Sequence, residues 1–312
     1  MENLRFVTEE NPERYPLLAE TYLYNSKAYL KLKVDRLGRP LSFYALKGEL
    51  AVARTHFFIR INEAGEKEAN SSPESPFGSL EYSNELSEEI LRDFISYIKT
   101  ALLCFDVKQI IMKDCISKYR KNSPTILHPI FLDMGFQKQS SMMNHHIEVD
   151  EGSLEQQMHK MERKRLRKAR RLGLNFREEP LSSIDHYYHF LQECRQEKGW
   201  SLTLSYAETL ASVQAMPERY RIFVAYHEDK CVAASLSVVV KKGILYDFYH
   251  DSKAAYKTWS PVVFLVDGMY QYCQKNKFDL LDLGTSTTQS LQQFKQHLGG
   301  VTSQKYTYLL RL

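Results

Sequence analysis

FDLLDLGTST at 278–287, followed by QSLQQFKQHLGG at 289–300 and YTYLLRL at 306–312, is the stretch that decides how this chain is read. The apolar run closed by Gly284 predicts a short buried strand, and Thr and Ser after it supply a polar turn. The next spacing predicts a helix that ends in Gly299-Gly300, and the terminal run predicts a last strand. The Phe294-Lys295 pair on that helix holds one cation beside the carboxyl end of a sheet strand, where open α/β folds keep their ligands. Such a lysine can meet a phosphate or a developing oxyanion, or it can stand as a solvated surface lysine.

Working outward, the chain divides most naturally near residue 150. In the first half LSFYALKG, ELAVARTHFFIRI, VKQIIMKD and MMNHHIEV read as strands, and ELSEEILRDFISYIKTALLCF reads as a long amphipathic helix. The polar, turn-rich EAGEKEANSSPESPFG at 63–78 precedes that helix. In the second half a basic helix and a helix near 183–197 precede RYRIFVAYHED, KCVAASLSVVV and GILYDFYHD, which read as an antiparallel meander. The helix PVVFLVDGMYQYCQKN then leads to FDLLDLG, the Phe-Lys helix and the terminal strand. This order predicts an α+β fold with mixed, largely antiparallel sheets, in two lobes at 1–149 and 150–312.

At 312 residues, 43% of them apolar, the chain is long enough for two domains with a substantial core. The net charge is only +4, but eight cations (Lys160, Arg163, Lys164, Arg165, Arg167, Lys168, Arg170 and Arg171) fall in twelve residues against one acid, Glu162. Taking those eight and one from the 42 basic and 38 acidic residues leaves 34 against 37, a net −3 elsewhere, so the basic character is local. No apolar run approaches the roughly 20 residues that cross a bilayer, and MENLRFVTEENPERYP has neither a basic leader nor an apolar signal core, so a cytoplasmic protein without a transmembrane segment is expected. The five cysteines are odd in number and widely spaced, which predicts small core fillers rather than disulfides or a metal site. His145 and His146 lie in a strand and point to opposite faces, while His186 and His189 lack an HExxH pattern, so no metal site is expected.

The terminal stretch also carries a family resemblance. Leu-Gly after the strand, a small polar link, a helix with Phe-Lys and a closing Gly resemble the C-terminal signature of the FemAB-type acyltransferases, within the wider GCN5-related N-acyltransferase (GNAT) superfamily, and are similar to BioF2-like acetyltransferase domains. ERKRLRKARRLGLNFRE at 162–178 resembles the family's basic helix before the second domain. TYLYNSKAYLKLK at 21–33 resembles its N-terminal substrate-facing segment, and PFGSLEYS at 76–83 a Pro- and Gly-containing turn of the first domain. The motifs occur in the family's order across nearly the whole chain. The resemblance implies tandem GNAT-like lobes and an acyltransferase without a tightly bound cofactor. It further implies an aminoacyl-tRNA donor and an amine on a peptidoglycan precursor as acceptor. The inserted coiled coil of some members is missing here, which puts direct transfer of tRNA binding in doubt.

Two other readings stay open: an acyl-CoA dependent N-acyltransferase acting on a sugar, lipid or small amine, and a noncatalytic polyanion-binding protein on a degenerate acyltransferase fold. For acyl-CoA, the stretch YHDSKAAYKTWSPVVFLVDG lacks a glycine-rich pyrophosphate loop, but Ser260 at N-cap with Pro261 at N1 makes a helix start able to face an anion. By motif match Lys295 is the candidate that stabilises the developing oxyanion, with Phe294 shaping the channel. Asp282 is placed to orient an amine or to cap a turn. The resemblance also directs Lys27 or Lys31 toward an acidic substrate group and Phe77, Gly78 and Ser79 to an opposing wall. Tyr249 and Trp259 are candidates to line an apolar channel, or to lie in the core. Arg163, Arg167 and Arg170 are the candidates to follow phosphates, on a helix that has no base-reading motif; its alternative is a solvated face.

Overall fold

The computed structural model describes residues 4–120 and 127–312. In chain order the strands and helices up to residue 148 are β1 (Leu4–Glu9), α1 (Lys27–Lys31), α2 (Val34–Leu37), β2 (Leu41–Lys47), β3 (Leu50–Ile61), β4 (Lys67–Asn70), β5 (Glu81–Tyr82), α3 (Glu88–Cys104), β6 (Val107–Lys113), α4 (Leu127–Asp133) and β7 (Gln137–Glu148). They are followed by α5 (Leu154–Gln157), α6 (Lys160–Arg171), β8 (Leu174–Glu179), α7 (Ile184–Gln196), α8 (Tyr206–Ala215), β9 (Tyr220–His227), β10 (Lys230–Lys241), β11 (Ile244–Ser252), α9 (Pro261–Lys275), β12 (Leu280–Thr285), α10 (Gln289–His297) and β13 (Val301–Arg311). The α+β class with mixed, largely antiparallel sheets is as expected. Local signals set most element ends. Ser87 accepts a hydrogen bond from Ile90 N at 3.3 Å and Glu88 and Glu89 occupy the first turn, so α3 starts where its dipole is satisfied. Its Leu91, Phe94, Ile95, Ile98 and Leu102 form one buried stripe.

Two compact units result: residues 1–142 with 303–312, and residues 143–302. In the first unit the sheet order is β1, β2, β3, β4, β6, β13, and all neighbours are antiparallel except β4 and β6. Its core is built from Phe43, Phe57, Leu91, Phe94, Ile110, Phe131 and Tyr308. In the second unit the order is β7, β12, β11, β10, β9, β8, again with one parallel pair, β11 with β12. Its core joins Leu166 and Ala169 of α6, Val266, Met269 and Tyr270 of α9, and Phe223, Leu245 and Leu281 of the sheet.

The same series is thus used twice: antiparallel strands, a helix crossover to a parallel strand, and a further antiparallel neighbour. The division differs from the sequence reading in two respects. All of MMNHHIEV but Met142, read in the first half, belongs to the second unit, where β7 pairs with β12. YTYLLRL, expected to belong with the C-terminal lobe, lies in β13 and pairs with β6, Tyr308 opposite Met112, so residues 303–312 belong to the first unit. Pairing between strands almost 200 positions apart is decided by a complementary sheet edge, which leaves no local trace. The basic segment also divides: α6 ends at Arg171, Gly173 takes a φ of +76°, and LNFREE is strand β8 against β9.

Candidate functional site

In the second unit the parallel ladder between β11 and β12 is three residues long. Ile244 pairs with Leu280, Leu245 with Leu281 and Tyr246 with Asp282, after which the ladder ends although both strands continue. Each strand is irregular at this level. On β11 Ser237 of β10 faces Asp247 and Leu236 faces Tyr249, which leaves Phe248 as a bulge, and β12 shifts register against β7 between Asp282 and Gly284. Bulges of this kind re-aim side chains beside functional sites. Gly284 has a φ of +75°, and a Cβ there would come within 3.1 Å of the Tyr246 ring, so a side chain would meet both a strained backbone and a close ring.

Lys295 of α10 reaches the backbone at the end of this ladder. Its Nζ donates to the carbonyls of Gly284 at 3.0 Å and Thr285 at 2.8 Å, and the residue is 4% exposed. An ammonium has three donors, and these two bonds use two of them. Burial pushes the lysine down to about 8, against the pull of Asp247 and Asp282, which raise it, and with a further lowering by Arg195. Asp282 accepts from Asn144 Nδ2 at 2.7 Å and from Gly284 N at 2.6 Å, so it fixes the turn that presents the carbonyls to the lysine.

A second polar group sits on the bulged strand. The Asp247 side chain is fully enclosed; one oxygen accepts from Ser235 Oγ at 2.7 Å and the other meets Nδ1 of His250. Ser235 is in turn bonded to Ser237 at 2.8 Å. Burial raises the Asp247 carboxyl, but His250, Ser235 and the Lys295 cation together hold it below the usual carboxylate range. The serine hydroxyl bonds the carboxylate and not the imidazole, so the three residues do not form a serine nucleophile with its base. No sequence motif pointed to His250 or Asp247.

The other candidate residues fall as follows. Tyr249 is 6% exposed, and its hydroxyl accepts from Thr203 N at 3.1 Å and Leu204 N at 3.0 Å, tying down the segment between α7 and α8. Trp259 packs against the rings of His227 and Tyr256 at 4.6 and 4.7 Å, and Phe294 packs on the core of the unit. Ser260 does precede α9, but in the left-handed conformation at φ 57°, and its side chain makes no cap bond. In the first unit Lys27 and Lys31 are exposed, whereas the unnominated Lys33 is buried, 3.3 Å from Glu74 and over the Tyr29 ring. Phe77 is ringed by Tyr22, Tyr24 and Tyr119, and a Cβ on Gly78 would lie 2.1 Å from the Ser71 carbonyl oxygen. Ser79 is fully buried against Asp114 and Arg120. Of the basic-helix candidates, Arg167 binds Glu155 at 2.6 Å, and Arg170 binds Glu155 at 2.7 Å and Asp267 at 2.9 Å. No ion pair of Arg163 is found among the described residues.

Residues 156–296 match the family model "Acetyltransferase (GNAT) domain", a span that ends one residue after Lys295 and lies within the second unit. Among solved structures, that of FemX is 11% identical, with 97% of this chain and 94% of that chain covered and a TM-score of 0.75. L-PGS from Bacillus licheniformis is 16% identical over 87% of this chain and 84% of its own, with a TM-score of 0.54. A tandem GNAT protein from the clavulanic acid biosynthesis pathway is 8% identical, covering 99% and 98%, also at 0.54. No curated protein matches the sequence. No helix among the described residues is long and apolar enough to cross a membrane. Residues 156–296 are thus similar to a GNAT acetyltransferase domain, and the chain has the tandem, mixed-sheet fold that FemX also has.

Proposed function

We propose that the protein transfers an acyl group, in the favoured reading an aminoacyl group carried by tRNA, to an amine of a peptidoglycan precursor, with Lys295 facing the acyl oxygen. The observation that carries this reading is the enclosed Lys295 ammonium, which spends two N–H groups on the Gly284 and Thr285 carbonyls and has a third to offer at the end of the β11–β12 ladder. As the amine attacks, negative charge collects on the carbonyl oxygen. A fixed, desolvated donor interacts with that charge far more strongly than water does.

The start of α9 favours an aminoacyl donor over acyl-CoA. A helix N-terminus normally offers several free N–H groups to a pyrophosphate. Here Ser260 N bonds Lys257 O at 3.1 Å, Pro261 has no N–H, and Val263 N bonds Ser260 O at 3.1 Å. Only Val262 of the first turn is left to bind an anion. The FemAB-type resemblance in the terminal motif supports the same donor and the peptidoglycan acceptor.

The test is transfer from alanyl-tRNA, with acetyl-CoA in parallel, to a lysine-containing peptidoglycan precursor by wild type and Lys295→Met. Methionine keeps the long stem and deletes the cation. Loss of one well-placed oxyanion donor costs about 3 kcal/mol of barrier, on the order of a hundredfold in rate. Near-normal turnover of the folded variant at saturating substrates removes Lys295 from this role.

A further inference from the structure

Amine acylation needs a proton acceptor as well as an oxyanion donor, because an attacking amine is protonated near neutral pH and must give up a proton before or during attack. Lys295 cannot fill both roles while it is charged. Among the described residues His250 is the imidazole on the strand whose ladder ends at the candidate site, four residues beyond Tyr246. Its side chain is 20% exposed while that of Asp247 is wholly enclosed, so one end of the imidazole is held from inside and the other faces outward. Nδ1 meets the Asp247 carboxylate, and no bond of Nε2 is found among the described residues. A carboxylate only accepts, so Nδ1 must carry the hydrogen, and in the neutral imidazole Nε2 keeps its lone pair. Ser235, backed by Ser237, donates to the remaining Asp247 oxygen and stops the carboxylate from rotating away. Residues three apart on a regular strand point to opposite faces; the Phe248 bulge brings Asp247 and His250 to the same one. The bulge thus aligns a buried acid with a partly exposed imidazole.

We infer that His250 is the proton acceptor for the amine and that Asp247 is its positioning residue. The inference rests on the acyl-transfer reading of the site. The ammonium gives one proton to Nε2 and the freed nitrogen bonds to the acyl carbon; the carbon–oxygen bond to the tRNA ribose, or the carbon–sulfur bond of a thioester, then breaks, and the departing oxygen or sulfur takes the second proton of the nitrogen. The imidazolium releases its proton to solvent, so the enzyme ends as it began.

The test compares two acceptors with the same donor, alanyl-tRNA or acetyl-CoA: a lysine ε-amine, with a pKa near 10.4, and hydroxylamine, which is largely unprotonated at neutral pH. His250→Gln should lose about a hundredfold or more with the lysine acceptor and less than tenfold with hydroxylamine. Equal losses with both acceptors, or no loss with either, overturn the assignment. A readout that needs no turnover is the nitrogen NMR signature of His250 in the full chain. The Nδ1–H form is expected in wild type, with a switch to Nε2–H in Asp247→Asn, where the amide donates to Nδ1. An Nε2–H form in wild type overturns the inference whatever the kinetics. If wild type transfers to neither acceptor, the acyl-transfer reading fails and the tautomer alone judges the dyad.

Discussion

Lys295→Met should change stability in a way that depends on pH, and the size follows from the burial of one amine. In the folded chain the Lys295 pKa is lowered from 10.5 to about 8, chiefly by desolvation. The unfolded chain therefore holds the proton more tightly, and stability rises with pH wherever the unfolded state binds more protons. At 1.36 kcal/mol for each pKa unit, the displacement corresponds to about 3 kcal/mol. This cost of burying the charge is borne fully below pH 8, shrinks from pH 8 to 10.5, and vanishes above 10.5. Methionine carries no such cost, although it leaves the Gly284 and Thr285 carbonyls without their donor, worth about 1 kcal/mol each. At pH 7 the variant should be as stable as wild type or about 1 kcal/mol more so; at pH 10.5 wild type should lead by about 1–2 kcal/mol. Urea denaturation of both proteins at pH 7, 9 and 10.5 measures this, and the tyrosines and other lysines cancel in the difference. A difference that stays flat over that range would mean that Lys295 is not buried as a charge, and the argument for an enclosed cation would fall with it. A variant that gains stability and loses turnover is the pattern expected when a strained charge is kept for chemistry.

Gly284→Ala should destabilise the chain by about 1–2 kcal/mol through the left-handed backbone alone, with more from the Tyr246 ring, and an unchanged melting temperature would refute the reading of this turn. Arg170→Gln should cost about 1–3 kcal/mol, because Asp267, 4% exposed, loses its charged partner; thermal melts check it. Arg163→Gln should leave stability nearly unchanged and lower the salt slope of tRNA binding by about 1, read by filter binding across a salt titration. An unaltered slope would assign the exposed side of α6 to solvent.

Much of this was legible along the chain because it is local. Ser87 with Glu88 and Glu89 announces α3, the alternation of 220–252 announces the meander, and the Leu-Gly turn announces β12 and the helix after it. The eight cations of 160–171 were countable, but not their partners: Glu155 lies 12 and 15 positions from Arg167 and Arg170, and Asp267 nearly a hundred from Arg170. The resemblance points to Lys27 or Lys31, and nothing in AYLKLK says that Lys33 is the lysine that turns inward; packing against Tyr29 and Glu74 does. His250 was missed for a related reason. Its partner is three residues away on a strand, a spacing that in regular geometry separates the two side chains.

By itself the sequence determined the order of the longer strands and helices, the α+β class and the Phe-Lys helix behind FDLLDLG, since periodicity, caps and turn residues act within a few positions. Only the tertiary structure decided that β13 closes the first unit, that Lys295 is enclosed rather than solvated, and that Asp247 and His250 meet. Strand pairing, desolvation and the one-residue slip of a bulge are each set by groups brought together from distant parts of the chain, and no window of sequence contains them.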